Sequence, residues 1–309
     1  MSLRYLSVAM WLILASYLEM PVSTTHSCVG GMIGMTMVAR GSSCVTWIAK
    51  SQQFPYVKGV VAIIVSWLLS PIISGGFAAV LFFTLRTFIL RSQESYKRVQ
   101  YAFPIIVACT FIINTFFIVY KGAKFLKLDG MPLWKACAIS FGIGGGTGIF
   151  SYFFINPIIF KNGGELPQGE HIEDGQVRSI HDNAEKFDPK TEYSMRYLQI
   201  LTACCDSFAH GANDVANSIG PFAAIYAIYK AGEVKKNAEM GNDAYWILSL
   251  GAAGIVLGLA TYGYKILYAL GTKMAKLTPS RGICIELGAA AVIILGSRLG
   301  WPLSTTHCQ

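Results

Sequence analysis

Residues 9–26 read AMWLILASYLEMPVSTTH, and residues 290–307 read AAVIILGSRLGWPLSTTH. At a constant offset of 281, ten of these eighteen positions are identical, including Ala9, Ile13, Leu14, Ser16 and Leu18 against Ala290, Ile294, Leu295, Ser297 and Leu299. Both copies end in P-x-S-T-T-H, at 21–26 and 302–307. An ungapped match of this length is a duplication. Without it, Arg4 ahead of an apolar run and the small pair Ala15-Ser16 would read as a secretion signal. With it, the N-terminal stretch is the counterpart of a membrane helix. Duplicated halves are a common build of secondary transporters, and paired interruptions at matching positions point to the substrate site.

The composition agrees. The chain is 53% hydrophobic and 14% charged, with a mean hydropathy of +0.48. A soluble domain carries about a quarter charged residues. The apolar residues gather in blocks, at 63–69, 77–83, 103–119, 247–259 and 283–295. With their flanks, several approach the ~20 residues that cross a bilayer. Helices are expected at about 3–20, 57–74, 76–90, 101–120, 136–159, 196–229 (interrupted), 245–270 and 281–301. Pro71, Gly75 and Gly76 divide one long apolar stretch into two of these.

The net charge of +8 sits between the blocks (Arg86, Arg91, Lys97, Arg98; Lys121, Lys124, Lys127; Lys265, Lys273, Lys276). There it meets lipid headgroups and is no nucleic-acid footprint. Basic residues flank consecutive spans, so they set no orientation. The eight cysteines have no metal-ligand spacing and read as small packing residues. Residues 161–195 hold eight of the 17 acidic residues, with Gly163, Gly164, Pro167, Gly169 and Pro189, and read as a water-exposed, mobile loop.

In P-x-S-T-T-H an apolar helix ends before Pro21, and a glycine-containing apolar segment follows. Proline opens helices, so Ser23, Thr24 and Thr25 fall at the first turn of a new half-helix. Unpaired N–H groups, a positive dipole end and three hydroxyls there suit an anion. Ser304, Thr305 and Thr306 repeat the arrangement. An ordinary N-cap would need only one of the three hydroxyls.

The second constellation is FAHGANDVANSIGP at 208–221. His210, Gly211, Gly220 and Pro221 read as a break in a membrane helix, tolerated only where backbone is buried or lines a cavity. Asn213, Asp214 and Asn217 supply a carboxylate and amide oxygens at helical spacing, a set suited to a hard cation. A polar clamp between helices is the plainer alternative. Other acids in apolar context are Asp206, which could serve the same cavity, Glu286, and Glu19, which reads as peripheral.

The glycine run GIGGGTG at 142–148 lacks the Lys-Ser/Thr of a P-loop and reads as close helix packing. His26 and His307 have no coordinating neighbours in the sequence. Neither a hydrolytic triad nor an HExxH is present, so the chain reads as a carrier and not an enzyme, with no cofactor.

At these residues the chain resembles the inorganic phosphate transporter (PiT) family of sodium- or proton-coupled phosphate symporters. GANDVAN at 211–217 and the two P-x-S-T-T-H copies look like its signatures. Ser66-Trp67, Ser70-Pro71, Ser74-Gly75 and Thr278-Pro279-Ser280-Arg281-Gly282 leading to Glu286 support the match. The resemblance implies an all-α polytopic membrane fold, an inverted repeat with discontinuous or re-entrant helices. Its halves would be 1–160 and 196–309, joined by the 161–195 loop. It also implies that Ser23, Thr24, Thr25, Ser304, Thr305, Thr306 and Asn213 touch phosphate and that Asp214 and Asn217 hold Na⁺. His210, Glu286 and Asp206 are further candidates.

A complete member of the family carries a GANDVAN-like element before its first P-x-S-T-T-H, and none fits ahead of Pro21. The chain therefore reads as truncated at both ends. Phosphate brought beside Asp214 in a dehydrated cavity requires a cation as well. Expected partners are inorganic phosphate, Na⁺ in preference to H⁺, membrane lipid and a second copy, in a plasma membrane. The rival readings are a permease for another oxyanion such as sulfate and a non-transporting membrane fragment or partner subunit.

Overall fold

The computed structural model describes residues 2–52, 56–119, 131–161, 174–233, 243–299 and 303–309. Helices dominate, because a backbone in lipid must satisfy its polar groups within each segment. In chain order they are α1 (Ser2–Tyr17), α2 (Thr24–Arg40), α3 (Val60–Leu85), α4 (Ser95–Val119), α5 (Leu133–Phe150), α6 (Asn156–Lys161), α7 (Gly175–Asn183), α8 (Pro189–Ala231), α9 (Asp243–Gly258), α10 (Tyr264–Tyr268), α11 (Pro279–Leu299) and α12 (Thr305–Cys308). A small antiparallel hairpin pairs Ala49–Lys50 with Val57–Lys58. Single π-helical turns follow α3 and α5 and flank α10.

Among the described residues, five helical stretches are long and apolar enough to cross a membrane: Val60–Leu90, Ser95–Val119, Leu133–Lys161, Asp243–Met274 and Pro279–Gly296. Their outward faces stay apolar, as Leu68, Ile72, Val80 and Phe83 show on α3. Such faces meet lipid, not water. The molecule is an all-α polytopic membrane protein.

The chain forms two compact units. The first comprises Met1–Ile72, Phe208–Ala275 and Leu295–Gln309; the second comprises Ile73–Ser207 and Lys276–Ile294.

Two helices run through breaks expected from the sequence. α3 is continuous past Pro71, Gly75 and Gly76, and α8 is continuous past His210, Gly211, Gly220 and Pro221. Glycine weakens a helix but does not end one where water is absent to take its backbone groups. An internal proline removes one hydrogen bond, freeing the carbonyl four residues earlier. In the second unit Pro104 of α4 frees the Gln100 carbonyl, which accepts from Asn156 Nδ2 at 2.6 Å. In the first unit Pro71 frees the carbonyl of Trp67, and His307 Nδ1 lies 3.4 Å from it. These two freed acceptors, of Gln100 and Trp67, are each met by a side chain from another helix, so α4 and α3 continue.

The glycine run in α5 serves packing. A Cβ on Gly144 would lie 2.3 Å from Ile112 Cγ1 and 2.7 Å from the Ala108 carbonyl oxygen, and one on Gly148 would lie 3.0 Å from that of Pro104. α4 therefore sits directly on this face of α5. Gly148→Val is expected to lower the yield of folded protein and its melting temperature sharply, whereas Gly146→Ala, with open space at its Cβ, leaves both nearly unchanged. Thermal unfolding in detergent checks the pair.

The 161–195 segment differs from a solvated loop. Residues 162–173 lie outside the described residues, but Gly175–Asn183 is α7, capped by Asp174, and α8 begins at Pro189. Two of its described acids are structural. Glu185 accepts from Arg86 Nε at 2.7 Å and Arg91 Nε at 2.8 Å. Glu192 is buried and accepts from the Ser280 N–H at 3.0 Å and its hydroxyl at 2.6 Å, at the start of α11. Phe187 packs edge-on to Phe82. Composition shows that a segment is polar, not where its charges find partners.

The hydrogen bond from Arg91, reinforced by Arg86, holds the Glu185 carboxyl below its ordinary value of 4.5 against the cost of burial. This anchor is complete above 4.5, the ordinary value, and is lost as pH falls below it through the depressed one. Glu185→Gln is expected to speed tryptic cleavage at Lys186 and Lys190 several-fold at neutral pH. Deletion of 168–190 would remove this anchor and cost stability, contrary to what the polar composition suggests.

Candidate functional site

The first unit brings the two P-x-S-T-T-H copies together. α1 ends in a paired turn, Met20 N–H to Ala15 O at 2.9 Å and Glu19 N–H to Ser16 O at 3.2 Å, with Glu19 left-handed at φ 57°. Glycine favours that conformation, and Gly300 occupies the equivalent position of the second copy. Glu19 is further tied to Lys273 at 2.5 Å. Ser23 then caps α2 with extended backbone, its hydroxyl accepting the His26 N–H at 3.2 Å.

In the second copy Leu303 folds back on α11, where a Cβ on Gly296 would come within 1.9 Å of its Cδ1. The first copy has Ala15 and Val22 at these positions, one methyl more on the helix and one carbon fewer after it. Ser304 caps α12 with extended backbone.

Equivalent residues of the two copies touch. Ser23 Oγ and Ser304 Oγ are 2.7 Å apart, and the rings of His26 and His307 lie 4.2 Å apart at 68°. The expected anion hydroxyls of Ser23 and Ser304 thus hold each other, and both residues are buried. Thr25 and Thr305 are also buried, while Thr24 and Thr306 are half-buried.

The GANDVAN stretch joins this cluster from α8. Thr305 Oγ1 donates to both carboxylate oxygens of Asp214, at 3.1 and 3.2 Å. A residue expected to touch the anion is therefore bonded to one expected to hold the cation. Asn213 is half-buried, and its amide nitrogen has no acceptor among the described residues. His210 is half-buried on the same helix. The Asn217 side chain lies outside the described residues, but its carbonyl loses its helical donor at Pro221. α9 packs against this part of α8, with Gly251 facing Val215 and Ile219.

Two candidates belong to the second unit instead. Glu286 of α11 accepts from the Thr202 hydroxyl, and Asp206 of α8 is buried.

The residue that sequence reasoning undervalued is Trp67. Its ring lies 3.5 Å from that of His26 at 78°, and its indole nitrogen is buried without an acceptor among the described residues. The spacing of Trp67 to Pro71 was the available signal, since a proline four residues on marks a freed carbonyl.

The family model described as the phosphate transporter family matches residues 1–309. A Pyrococcus abyssi protein, provisionally named a phosphate permease, is 33% identical over 98% of this chain and 65% of its own length. The chloroplastic inorganic phosphate transporter 2-1 of Arabidopsis thaliana is 31% identical over 96% of this chain and 48% of its own. A solved structure, named as the sodium-dependent phosphate transporter, superposes with a TM-score of 0.72 at 30% identity, covering 98% of this chain and 66% of that one. This chain thus spans about two thirds of the first and third and about half of the second. Similarity over its whole length, carried through the same helices, leaves one assignment: the chain belongs to the phosphate transporter family.

Proposed function

We propose that the protein moves inorganic phosphate across a membrane together with a cation, Na⁺ in preference to H⁺. The observation that carries this reading is the imbalance of buried partners in the first unit. The Asn213 amide nitrogen and the Trp67 indole nitrogen are donors without acceptors among the described residues, while the Asp214 carboxylate is already engaged by Thr305. An acceptor-only ligand resolves that imbalance, and an oxyanion is one. The carboxylate beside it supplies the charge a coupling cation needs. The contacts between equivalent residues of the two copies support an internal two-fold relation and the inverted-repeat build. The names of the relatives support phosphate over other oxyanions, and the sodium dependence named for the structural relative supports the choice of ion.

The test is uptake of radiolabelled phosphate into proteoliposomes under an imposed Na⁺ gradient, an imposed pH gradient, or neither. Uptake driven by Na⁺ and blocked by excess unlabelled phosphate but not by sulfate is the expected result. Uptake blocked equally by sulfate would make the protein a general oxyanion permease.

A further inference from the structure

The two histidines of the duplicated motif take no part in the phosphate and cation contacts proposed so far. They stand one helical turn inside α2 and α12, three residues after the paired serines. Their rings meet at 4.2 Å, and the His26 ring also abuts Trp67. The His307 Nδ1–H points at the freed Trp67 carbonyl at 3.4 Å, which leaves its Nε2 as the basic nitrogen. His26 Nε2 is buried with no hydrogen-bond partner among the described residues.

We propose that His26 and His307 together hold one proton that enters and leaves the site with the anion. This rests on the reading that the site binds phosphate. Two imidazolium rings in contact repel strongly, so the pair accepts one proton and not two. Without the anion even one is opposed, because His26 sits in the first turn of the 17-residue α2, at its positive end, and its Nε2 is buried. An oxyanion beside the α2 N-terminus reverses that field. The proton is then taken from water as the anion binds and returned when it leaves. It offsets part of the negative charge the anion brings beside Asp214. The group facing the pair is Trp67 of α3. Asp214 is linked through Thr305, and His210 lies one turn from it on α8.

Calorimetric titration of the purified protein in lipid nanodiscs with phosphate, in two buffers of unlike ionisation heat, counts the protons taken up per anion. At one fixed pH the ionisation of phosphate itself cancels between variants. The double variant His26→Gln/His307→Gln is expected to take up fewer protons than the parent, by as much as one. Each single variant keeps the uptake, because the remaining imidazole still holds the proton. A double variant that binds phosphate with the parent's proton count overturns the proposal and leaves the phosphate reading standing. A parent that gives no phosphate heat overturns the phosphate reading itself. Should the double variant not fold, the parent's fluorescence decides. Phosphate is expected to move the pH midpoint of a quench upward, with that quench absent in Trp67→Phe. A midpoint indifferent to phosphate overturns the proposal.

Discussion

Asp214→Asn is expected to abolish cation-driven phosphate uptake, or to leave a residue of uptake indifferent to the cation gradient. The carboxylate receives the Thr305 hydroxyl on both oxygens. Asparagine keeps the shape but replaces one oxygen by a donor and removes the charge. A hydrogen bond to a charged group is worth about 1.5–3 kcal/mol, or roughly 10- to 150-fold, and loss of the cation's attraction adds to that. The substitution also removes a negative charge from beside an incoming anion, so simple repulsion predicts the reverse, faster uptake. The two accounts differ in sign. Initial rates in proteoliposomes with and without the Na⁺ gradient separate them. Faster uptake with unchanged cation dependence would make Asp214 only a repulsive group and move the search for the coupling site to Asp206 or Glu286.

Thr305→Ala, alone and with Thr306→Ala, is expected to raise the phosphate concentration for half-maximal uptake at least tenfold. Thr305 is 2% exposed, so no solvent replaces its hydroxyl. Its removal leaves the Asp214 carboxylate without that donor in a buried setting, at a cost of about 1–3 kcal/mol. Thr305→Ser restores the hydroxyl and should recover most of the affinity. A loss caused by packing alone would instead persist in the serine variant, whose side chain also lacks the methyl. Unchanged affinity in the double alanine variant, at normal membrane abundance, would remove these hydroxyls from the anion site.

Much of this was legible in the sequence. The duplication marked the N-terminal stretch as a helix, which is α1, and the proline-led S-T-T marked a helix start at Thr24 and again at Thr305. The α5 glycines read as packing positions, and Gly144 and Gly148 lie against α4. The errors share a cause. Pro71 read as a helix end because proline's penalty was weighed within its own helix, whereas His307 at the Trp67 carbonyl, like Asn156 at the Gln100 carbonyl, shows that the freed carbonyl finds a partner elsewhere. The 161–195 segment read as solvated because composition records charge and not its distance to Arg86, Arg91 or Ser280. The contact of Ser23 with Ser304 was not readable at all. A repeat shows that two segments are alike, but not that they meet.

The prolines inside α3 and α4 also bear on the order in which the protein is made. Each frees a carbonyl whose partner from another helix is synthesised later. Asn156 follows Gln100 by 56 residues, and His307 follows Trp67 by 240. At about 5–20 residues per second, the first carbonyl waits roughly 3–11 s and the second roughly 12–48 s. α4 therefore docks with the segment that closes it while most of the remaining chain is still unmade. At Trp67 the Ser70 hydroxyl, 3.5 Å from the carbonyl within α3 itself, covers the acceptor in the interval before the second S-T-T-H emerges.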